Sequence, residues 1–129
     1  MPQPQYEISE EIFTSAEQIS LERIVTIGKA LSDPIRVRML RLLAQGREAV
    51  GLPPARLLPI PGRDDLEGIC VHEFQEVFRL GQSKVSYHLR ILREAGLVTE
   101  EPRGKWSFYR LNQHALRAVN RLIQEYLHP

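Results

Sequence analysis

Small polar and cationic side chains share one face of the stretch between Gln82 and Glu94. Val85, Leu89 and Leu92 recur at i, i+4 and i+7, so they form an apolar stripe that packs inward. The opposite face carries hydroxyls, a phenol and cations, which are the groups that hydrogen-bond to phosphates and base edges in a DNA major groove. The residues of this stretch that we expect to contact DNA are Gln82, Ser83, Lys84, Ser86, Tyr87, His88 and Arg90.

A helix-turn-helix followed by a hairpin would present this face. The spacing predicts the recognition helix over about 82–95, with Gly96 placed for a left-handed C-terminal cap. A shorter helix precedes it, from Cys70 onwards. Residues 98–111 predict a hairpin, because two strand-like runs flank a Pro-Arg-Gly-Lys turn. Arg103 and Lys105 lie at its tip and extend the predicted DNA contacts. The pattern is typical of a winged helix-turn-helix.

Two motifs connect this pattern to a known family. Residues 29–42, KALSDPIRVRMLRL, and residues 82–98, QSKVSYHLRILREAGLV, together resemble the ArsR/SmtB family of bacterial repressors. The resemblance covers roughly Leu21 to Leu127. It implies a symmetric homodimer that binds double-stranded operator DNA and releases it when a metal, metalloid or other small signal is sensed. We therefore expect a mainly α fold with a small β-hairpin wing, and a divalent ion such as zinc as the candidate cofactor.

Cys70 and His72 form the first candidate sensing site. They lie where relatives that sense arsenic or soft metals carry Cys-Val-Cys followed by an acidic residue, here Glu73. Thiolate and imidazole together can hold zinc or another borderline-soft ion. Trivalent arsenic prefers three thiolates, however, and this chain has one cysteine. The alternative is that Cys70 is a small buried apolar residue.

His114, Glu125 and His128 form the second candidate. Relatives with a metal site on the last helix carry Asp-x-His, with further ligands eleven and fourteen residues after that His, and here those positions hold Glu125 and His128. Asn112 replaces the Asp, and Glu125 replaces a His. Two imidazoles and a carboxylate contributed by two protomers could hold a divalent ion. The alternative is that both histidines are ordinary surface residues.

The first and last helices carry apolar stripes that a small winged domain would leave uncovered. Thr14 and Glu17 fit a capping box at the start of the first helix, and the last helix is predicted over 112–128. Pairing these helices between two protomers would bury both stripes, as the family implies. The interface residues that we expect are Leu21, Ile24, Leu31, Leu116, Val119, Ile123 and Tyr126.

Charge is unevenly distributed along the 129 residues, whose formal net charge is +1. Residues 79–110 hold seven Lys/Arg against three Glu, whereas residues 1–33 hold two cations against six acids. The cationic stretch therefore coincides with the predicted DNA-binding face. The length fits one domain, which we place at 14–129 after a loose arm at 1–13. A Pro-rich stretch at 47–68 is longer than the connection that relatives usually have at this place. Three interpretations are open for it: a packed surface insertion, a partner surface, or a lid over a sensing pocket.

Several function classes are excluded or left open. No run of about 18 apolar residues and no signal-peptide pattern occurs, and a single cysteine suits a reducing compartment, so we expect a cytoplasmic protein without a membrane span. Ser86 and His88 are two apart on one helix and cannot act as nucleophile and base, so we expect no enzyme. Two alternatives to a ligand-responsive repressor remain. One is a DNA-binding regulator controlled by thiol oxidation or a protein partner, and the other is a winged-helix protein–protein interaction module.

Overall fold

A computed structural model describes residues 14–53 and 68–129 of the chain. The predicted arm at 1–13 and most of the Pro-rich stretch lie outside the described residues. Within the described ranges the elements in chain order are α1 (Ser15–Ala30), α2 (Pro34–Gln45), β1 (Ile69–Cys70), α3 (Val71–Phe78), α4 (Gln82–Glu94), β2 (Val98–Arg103), β3 (Trp106–Leu111) and α5 (Gln113–Leu127). The prediction of a mainly α fold with a small β wing is confirmed. None of these helices is long and apolar enough to cross a membrane.

Local hydrogen bonds define where the first two helices begin. The Thr14 hydroxyl accepts from the Glu17 amide at 3.2 Å, and the Glu17 carboxylate accepts from the Thr14 amide at 2.7 Å, so the expected capping box is present. Asp33 caps α2 by accepting from the Ile35 amide at 2.7 Å, and Pro34 follows at the first helical position. These caps place the α1–α2 junction firmly at residues 31–33.

The core lies between α1, α2, α3, α4 and the sheet. Val85, Leu89 and Leu92 of α4 are fully buried, so the predicted stripe does face inward. On α1, by contrast, the buried residues are Ile27 and Ala30. The members of the stripe that we expected on α1, namely Leu21, Ile24 and Leu31, are only half-buried or exposed in the protomer.

A tight turn joins the two helices of the helix-turn-helix. Arg79 is the C-cap of α3 and lies in the left-handed region at φ 53°, and Gly81 is the N-cap of α4. At the other end of α4, Gly96 has φ 76°, the Gly96 amide donates to Arg93 O at 2.9 Å and the Leu97 amide donates to Leu92 O at 3.0 Å. These two bonds form a Schellman motif, which turns the chain directly into the wing.

The wing is part of a three-stranded antiparallel sheet with strand order β1-β3-β2. Strands β2 and β3 pair from Val98 opposite Leu111 to Arg103 opposite Trp106, which leaves Gly104 and Lys105 at the tip. The short strand β1 was not predicted. It pairs Ile69 with Tyr109 and Cys70 with Phe108, so it attaches the start of α3 to the base of the wing.

Candidate DNA-binding face and sensing sites

The first turns of α4 expose the polar side chains that the sequence singles out. Gln82, Ser83 and Lys84 are exposed, and Tyr87 and Arg90 follow on the outer face of the helix. The Arg90 guanidinium carbon lies 5.7 Å from the centroid of the Tyr87 ring, which is the distance of a cation–π contact. This face can therefore offer amide, hydroxyl, phenol and cationic groups together.

The wing brings a further cation next to this face. Lys105 at the hairpin tip lines an open groove of about 400 Å³, together with Gln82 and Ser86 of α4. Arg103, the other predicted contact on the wing, is exposed but pairs with Glu101 at 2.8 Å. Of the two wing cations, Lys105 is thus the one that the structure places beside the start of α4.

A polar network anchors the wing to the end of α4. Arg93 of α4 forms an ion pair with Glu100 of β2. Burial raises the pKa of Glu100, but hydrogen bonds from Ser107 and Arg93 outweigh it and hold this pKa below its usual value. Burial and the neighbouring Glu100 charge raise the pKa of Tyr109. The ionised carboxylate thus ties both strands of the hairpin to the recognition helix.

His88 lies in the core and not on the DNA-binding face of α4. The side chain is only 4% exposed, and its ring faces the core instead of the solvent-exposed face of α4. Arg36 of α2 donates from Nη1 to His88 Nδ1 at 3.2 Å. The prediction that His88 contacts DNA is therefore wrong. His88 precedes Leu89, which is fully buried on the inner face of α4. The imidazole can be buried beside it because Arg36 supplies a hydrogen bond.

Cys70 and His72 line the same groove as Lys105, but their side chains have different surroundings. Cys70 is buried against Phe108 and Trp106, whereas the His72 ring lies on the exposed side of α3, where Nε2 is 3.0 Å from the Glu76 carboxylate. The carboxylate of Glu73, the acidic residue of this motif, forms an ion pair with Arg47. Within residues 14–53 and 68–129, no group of three or more His, Cys, Asp or Glu side chains could hold a metal ion.

Arg47 and Glu73 form a buried, bidentate ion pair that sequence reasoning missed. Arg47 donates to the two carboxylate oxygens of Glu73 at 2.7 and 2.6 Å. It also donates to Pro53 O at 2.6 Å and to Gly68 O at 3.2 Å, and these residues border the 54–67 stretch on either side. Arg47 thus fastens both borders of that stretch to the start of α3.

The candidate ligands on α5 are exposed, but Asn112 is not free to join them. The Asn112 side chain caps α5 by accepting from the Ala115 amide at 3.2 Å, and it donates to Gly96 O at 2.9 Å. His114 and Glu125 lie on one face of α5, since eleven residues bring the helix back to within about 20° of the same direction, whereas His128 follows the helix as its C-cap. His114 and Glu125 are roughly 16 Å apart along the helix axis, at about 1.5 Å per residue.

The predicted interface residues have different surroundings in the protomer, where Leu31 is 39% exposed. Ile123 and Tyr126 are 50% and 64% exposed. Leu116 and Val119 instead pack against the core of their own protomer. Leu21 and Ile24 line a groove of about 380 Å³ between α1 and α5, next to Tyr126. Exposed Ile19, Val25 and Leu127 extend the apolar surface beyond the residues that the sequence singled out.

Arg36 is the second buried cation that sequence reasoning missed. A signal was present, because residue 36 lies three before Met39 and six before Leu42, and so falls on the apolar face of α2. A cation on a buried face needs partners that satisfy its donors. The partner on α4 lies 52 residues away in the sequence, which no local pattern reveals.

Together, these features define a winged helix-turn-helix DNA-binding regulator as the class of protein. The family model described as "Bacterial regulatory protein, arsR family" matches residues 68–100. An arsenic resistance transcriptional regulator of Pseudomonas putida is 31% identical over 110 residues, which cover 80% of this chain and 70% of that protein. The chain belongs to the ArsR family of bacterial regulatory proteins.

Other relatives are similar to this chain over part of its sequence or in their fold. The arsenical resistance operon repressor of Bacillus subtilis is 48% identical over 58 residues, which are 45% of this chain and only 52% of that protein. The crystal structure of an ArsR family transcriptional regulator has a TM-score of 0.61 at 19% identity, covering 83% of this chain and 89% of that one. The NMR structure of a homodimeric winged helix-turn-helix DNA-binding domain from Mycobacterium bovis has a TM-score of 0.59 at 20% identity, covering 91% and 92%. These two structures share the fold of this chain.

Proposed function

We propose that this chain is a homodimeric transcriptional repressor that binds duplex operator DNA with α4 and the wing, and that it acts in the cytoplasm without catalysing a reaction. The observation that carries the proposal is the exposed first half of α4, whose polar and cationic face stands on a fully buried apolar face. A protein–protein module would more often expose apolar residues there. The Bacillus subtilis relative named as an operon repressor and the Pseudomonas putida relative named as a transcriptional regulator support the same function.

The roles of the contacting residues follow from their chemistry. Lys84, Arg90, Arg103 and Lys105 would bind phosphates and set the position of the dimer on the duplex. Gln82, Ser83, Ser86 and Tyr87 would reach base edges and supply sequence preference. Because Glu101 holds Arg103 at 2.8 Å, we expect Arg103 to contribute less than Lys105.

Salt dependence tests this assignment. Eight phosphate-binding cations in a dimer predict a slope of log K against log salt of roughly −7, and six, without Arg103, predict about −5. Lys84→Glu should weaken binding to all duplexes and reduce the magnitude of the slope. Gln82→Ala should leave the slope unchanged and alter the preferred sequence. Binding is measured by fluorescence anisotropy with duplexes selected from a random pool. A slope near zero for the wild-type chain would contradict the assignment as a DNA-binding repressor.

We place the signal site on α5 as the more favourable of the two candidates. One protomer cannot assemble it, because His114 lies a long way along the helix from Glu125 and His128. Two antiparallel copies of α5 could bring His114 of one protomer to Glu125 and His128 of its partner, and these donors suit zinc. A soft metalloid fits the Cys70 site poorly, since Cys70 is buried among aromatic side chains and Glu73 is paired with Arg47.

Metal binding and its coupling to DNA separate the candidates. Titration with zinc or cobalt should show at most two ions bound per dimer. This binding should persist in Cys70→Ser and disappear in His114→Ala. A tenfold loss of operator affinity on binding requires about 1.4 kcal/mol of preference for the DNA-free dimer. If zinc, cobalt, nickel, cadmium and arsenite all leave the operator isotherm unchanged, both metal sites are excluded as regulators. Control by Cys70 oxidation, or by a partner that binds residues 47–68, would then take their place.

A further inference from the structure

Arg36 connects three parts of the molecule from a buried position. Its Nε donates to Ala30 O at 2.7 Å and its Nη2 donates to Lys29 O at 3.2 Å, and these carbonyls belong to the last turn of α1. Its Nη1 contacts Nδ1 of His88, on α4, at 3.2 Å. The guanidinium therefore joins the end of α1 to the middle of the recognition helix, 52 residues further along the chain.

The arginine fixes the chemical form of the histidine. A guanidinium has donors only, so His88 Nδ1 must be the unprotonated, accepting nitrogen, and the proton of the neutral ring lies on Nε2. Nε2 is buried and has no hydrogen-bond partner among the residues that the structure describes. Asp33 is the acidic group near this pair, with its carboxylate 3.9 Å from Arg36 Nη1.

We propose that Arg36 and His88 form a positioning pair that holds α4 against the end of α1 in the orientation that DNA binding needs, and that it does so only while His88 is neutral. This inference rests on the proposed function, because α1 contributes to the dimer and α4 reads the operator. Because the pair links α1 to α4, the way in which the two protomers pack would set the distance between the two recognition helices. His88 touches no DNA in this scheme and acts through the helix that carries it.

Protonation would break the pair. The imidazolium has N–H donors on both nitrogens, so its Nδ1 would present a proton and a positive charge to the Arg36 guanidinium 3.2 Å away. The groups that face the ring are Arg36 on α2, Asp33 at the N-cap of α2, and Lys84 and Tyr87 on α4. Burial lowers the pKa of His88, and the Arg36 and Lys84 charges lower it further, against the opposing effect of Asp33.

The sign of the pH effect follows from the lowered pKa. The neutral ring is favoured in the folded state, so its contribution is complete above the ordinary His pKa of 6.5 and is lost as pH falls through the lower folded pKa. Operator affinity should therefore weaken on acidification. A histidine that contacts phosphate would have the opposite effect, because its protonation adds a cation to the interface.

The test compares three chains on one probe, a duplex of about 30 base pairs selected by the wild-type chain, which holds two half-sites about 10 base pairs apart. Wild-type affinity should fall at least about tenfold between roughly pH 7.5 and pH 5.5. His88→Asn, whose carbonyl oxygen can replace Nδ1, should keep neutral-pH affinity within about threefold and lose the pH dependence. His88→Leu should bind about tenfold or more weakly at both pH values. His72, His114 and His128 stay in every variant, so a pH effect that remains in His88→Asn belongs to groups other than His88.

Other results would overturn the pair. If wild-type affinity rises on acidification, His88 acts as a cation on DNA. If His88→Asn and His88→Leu lose thermal stability alike while the wild-type pH dependence persists in both, the pair is merely structural. The tautomer of the free chain is measured by ¹⁵N NMR of the imidazole at neutral pH, where Nδ1 should be unprotonated and Nε2 protonated. This readout needs no DNA, so a wrong tautomer refutes the pair, whereas failure to select any duplex refutes the proposed function.

Discussion

Glu73 and Arg47 have side chains that are each only 6% exposed, so at the scale of single residues their pair depends on complete hydrogen bonding. Both carboxylate oxygens accept from Arg47, and Oε1 also accepts from the Cys70 amide at 3.0 Å. Burial raises the pKa of Glu73, but the Arg47 and Cys70 hydrogen bonds outweigh it, and the pKa lies below its ordinary value of 4.5. The pair is therefore ionised at neutral pH and stabilises the approach of residues 47–53 to α3.

Removing the charge of Glu73 should destabilise the fold, because Arg47 then remains buried without an opposite charge. We expect Glu73→Gln to lower the free energy of unfolding by about 3–5 kcal/mol, because Arg47 stays buried with an uncompensated charge. Urea unfolding measures this. The matched control is Glu76→Gln, whose exposed carboxylate pairs with His72 on the same helix and should change stability by less than about 1 kcal/mol. Equal effects of the two substitutions would contradict the buried pair.

The pH dependence of stability gives an independent check on Glu73. Because its folded pKa is lowered, its contribution is complete above the unfolded pKa of 4.5 and is lost as pH falls through the lower folded pKa. Glu73→Gln should therefore reduce the acid sensitivity of the wild-type chain. Urea unfolding at a series of pH values below neutral measures the difference, and parallel curves for the two chains would contradict the lowered pKa.

At the scale of elements, β1 determines where the wing sits relative to α3. Gly68 precedes β1 at a point where the two backbones come unusually close. A Cβ placed on Gly68 would lie 2.9 Å from Tyr109 O and 3.1 Å from Phe108 Cβ. Since one of these neighbours is backbone, a methyl group could be accommodated only by moving β1 away from β3.

Gly68→Ala should therefore destabilise the domain by about 1–3 kcal/mol, the usual cost of forcing an extra carbon into a well-packed site. Amide hydrogen exchange should show the loss locally, in β1 and in the part of β3 that pairs with it, before it shows in α4. An alanine variant with wild-type stability and unchanged exchange at Tyr109 would contradict the close approach.

Local patterns account for the elements that sequence reasoning found. The 3.6-residue spacing of Val85, Leu89 and Leu92, with Gly96 after them, is enough to predict α4 and its end. The two-residue strand β1 has no periodicity to detect. The buried partners of Arg36, Arg47 and His88 are set by tertiary packing between distant segments, so their roles, including the corrected role of His88, could be read only from the structure.

At the scale of the whole molecule, α5 has a strongly amphipathic sequence, yet none of its residues is buried in the protomer. Its exposed apolar side chains continue those of α1 across the groove that Leu21 and Ile24 line. An exposed apolar surface of this extent marks an interaction site. A second copy of the chain is the occupant that we propose, because a twofold axis would place the same surface on both partners.

Ile123→Asp should test this interface most directly, since Ile123 is 50% exposed and, among the described residues, does not pack against the protomer core as Val119 does. Each dimer would lose the burial of two half-exposed isoleucine side chains, worth roughly 1 kcal/mol apiece, and would bury two carboxylates, so we expect dimer affinity to fall at least about 100-fold. Operator affinity should fall with it, because two half-sites are no longer held together. Gln124→Asp, an exposed neighbour, carries the same charge change and should remain dimeric. Sedimentation equilibrium at micromolar concentration distinguishes the three chains, and a monomeric wild type would refute the interface.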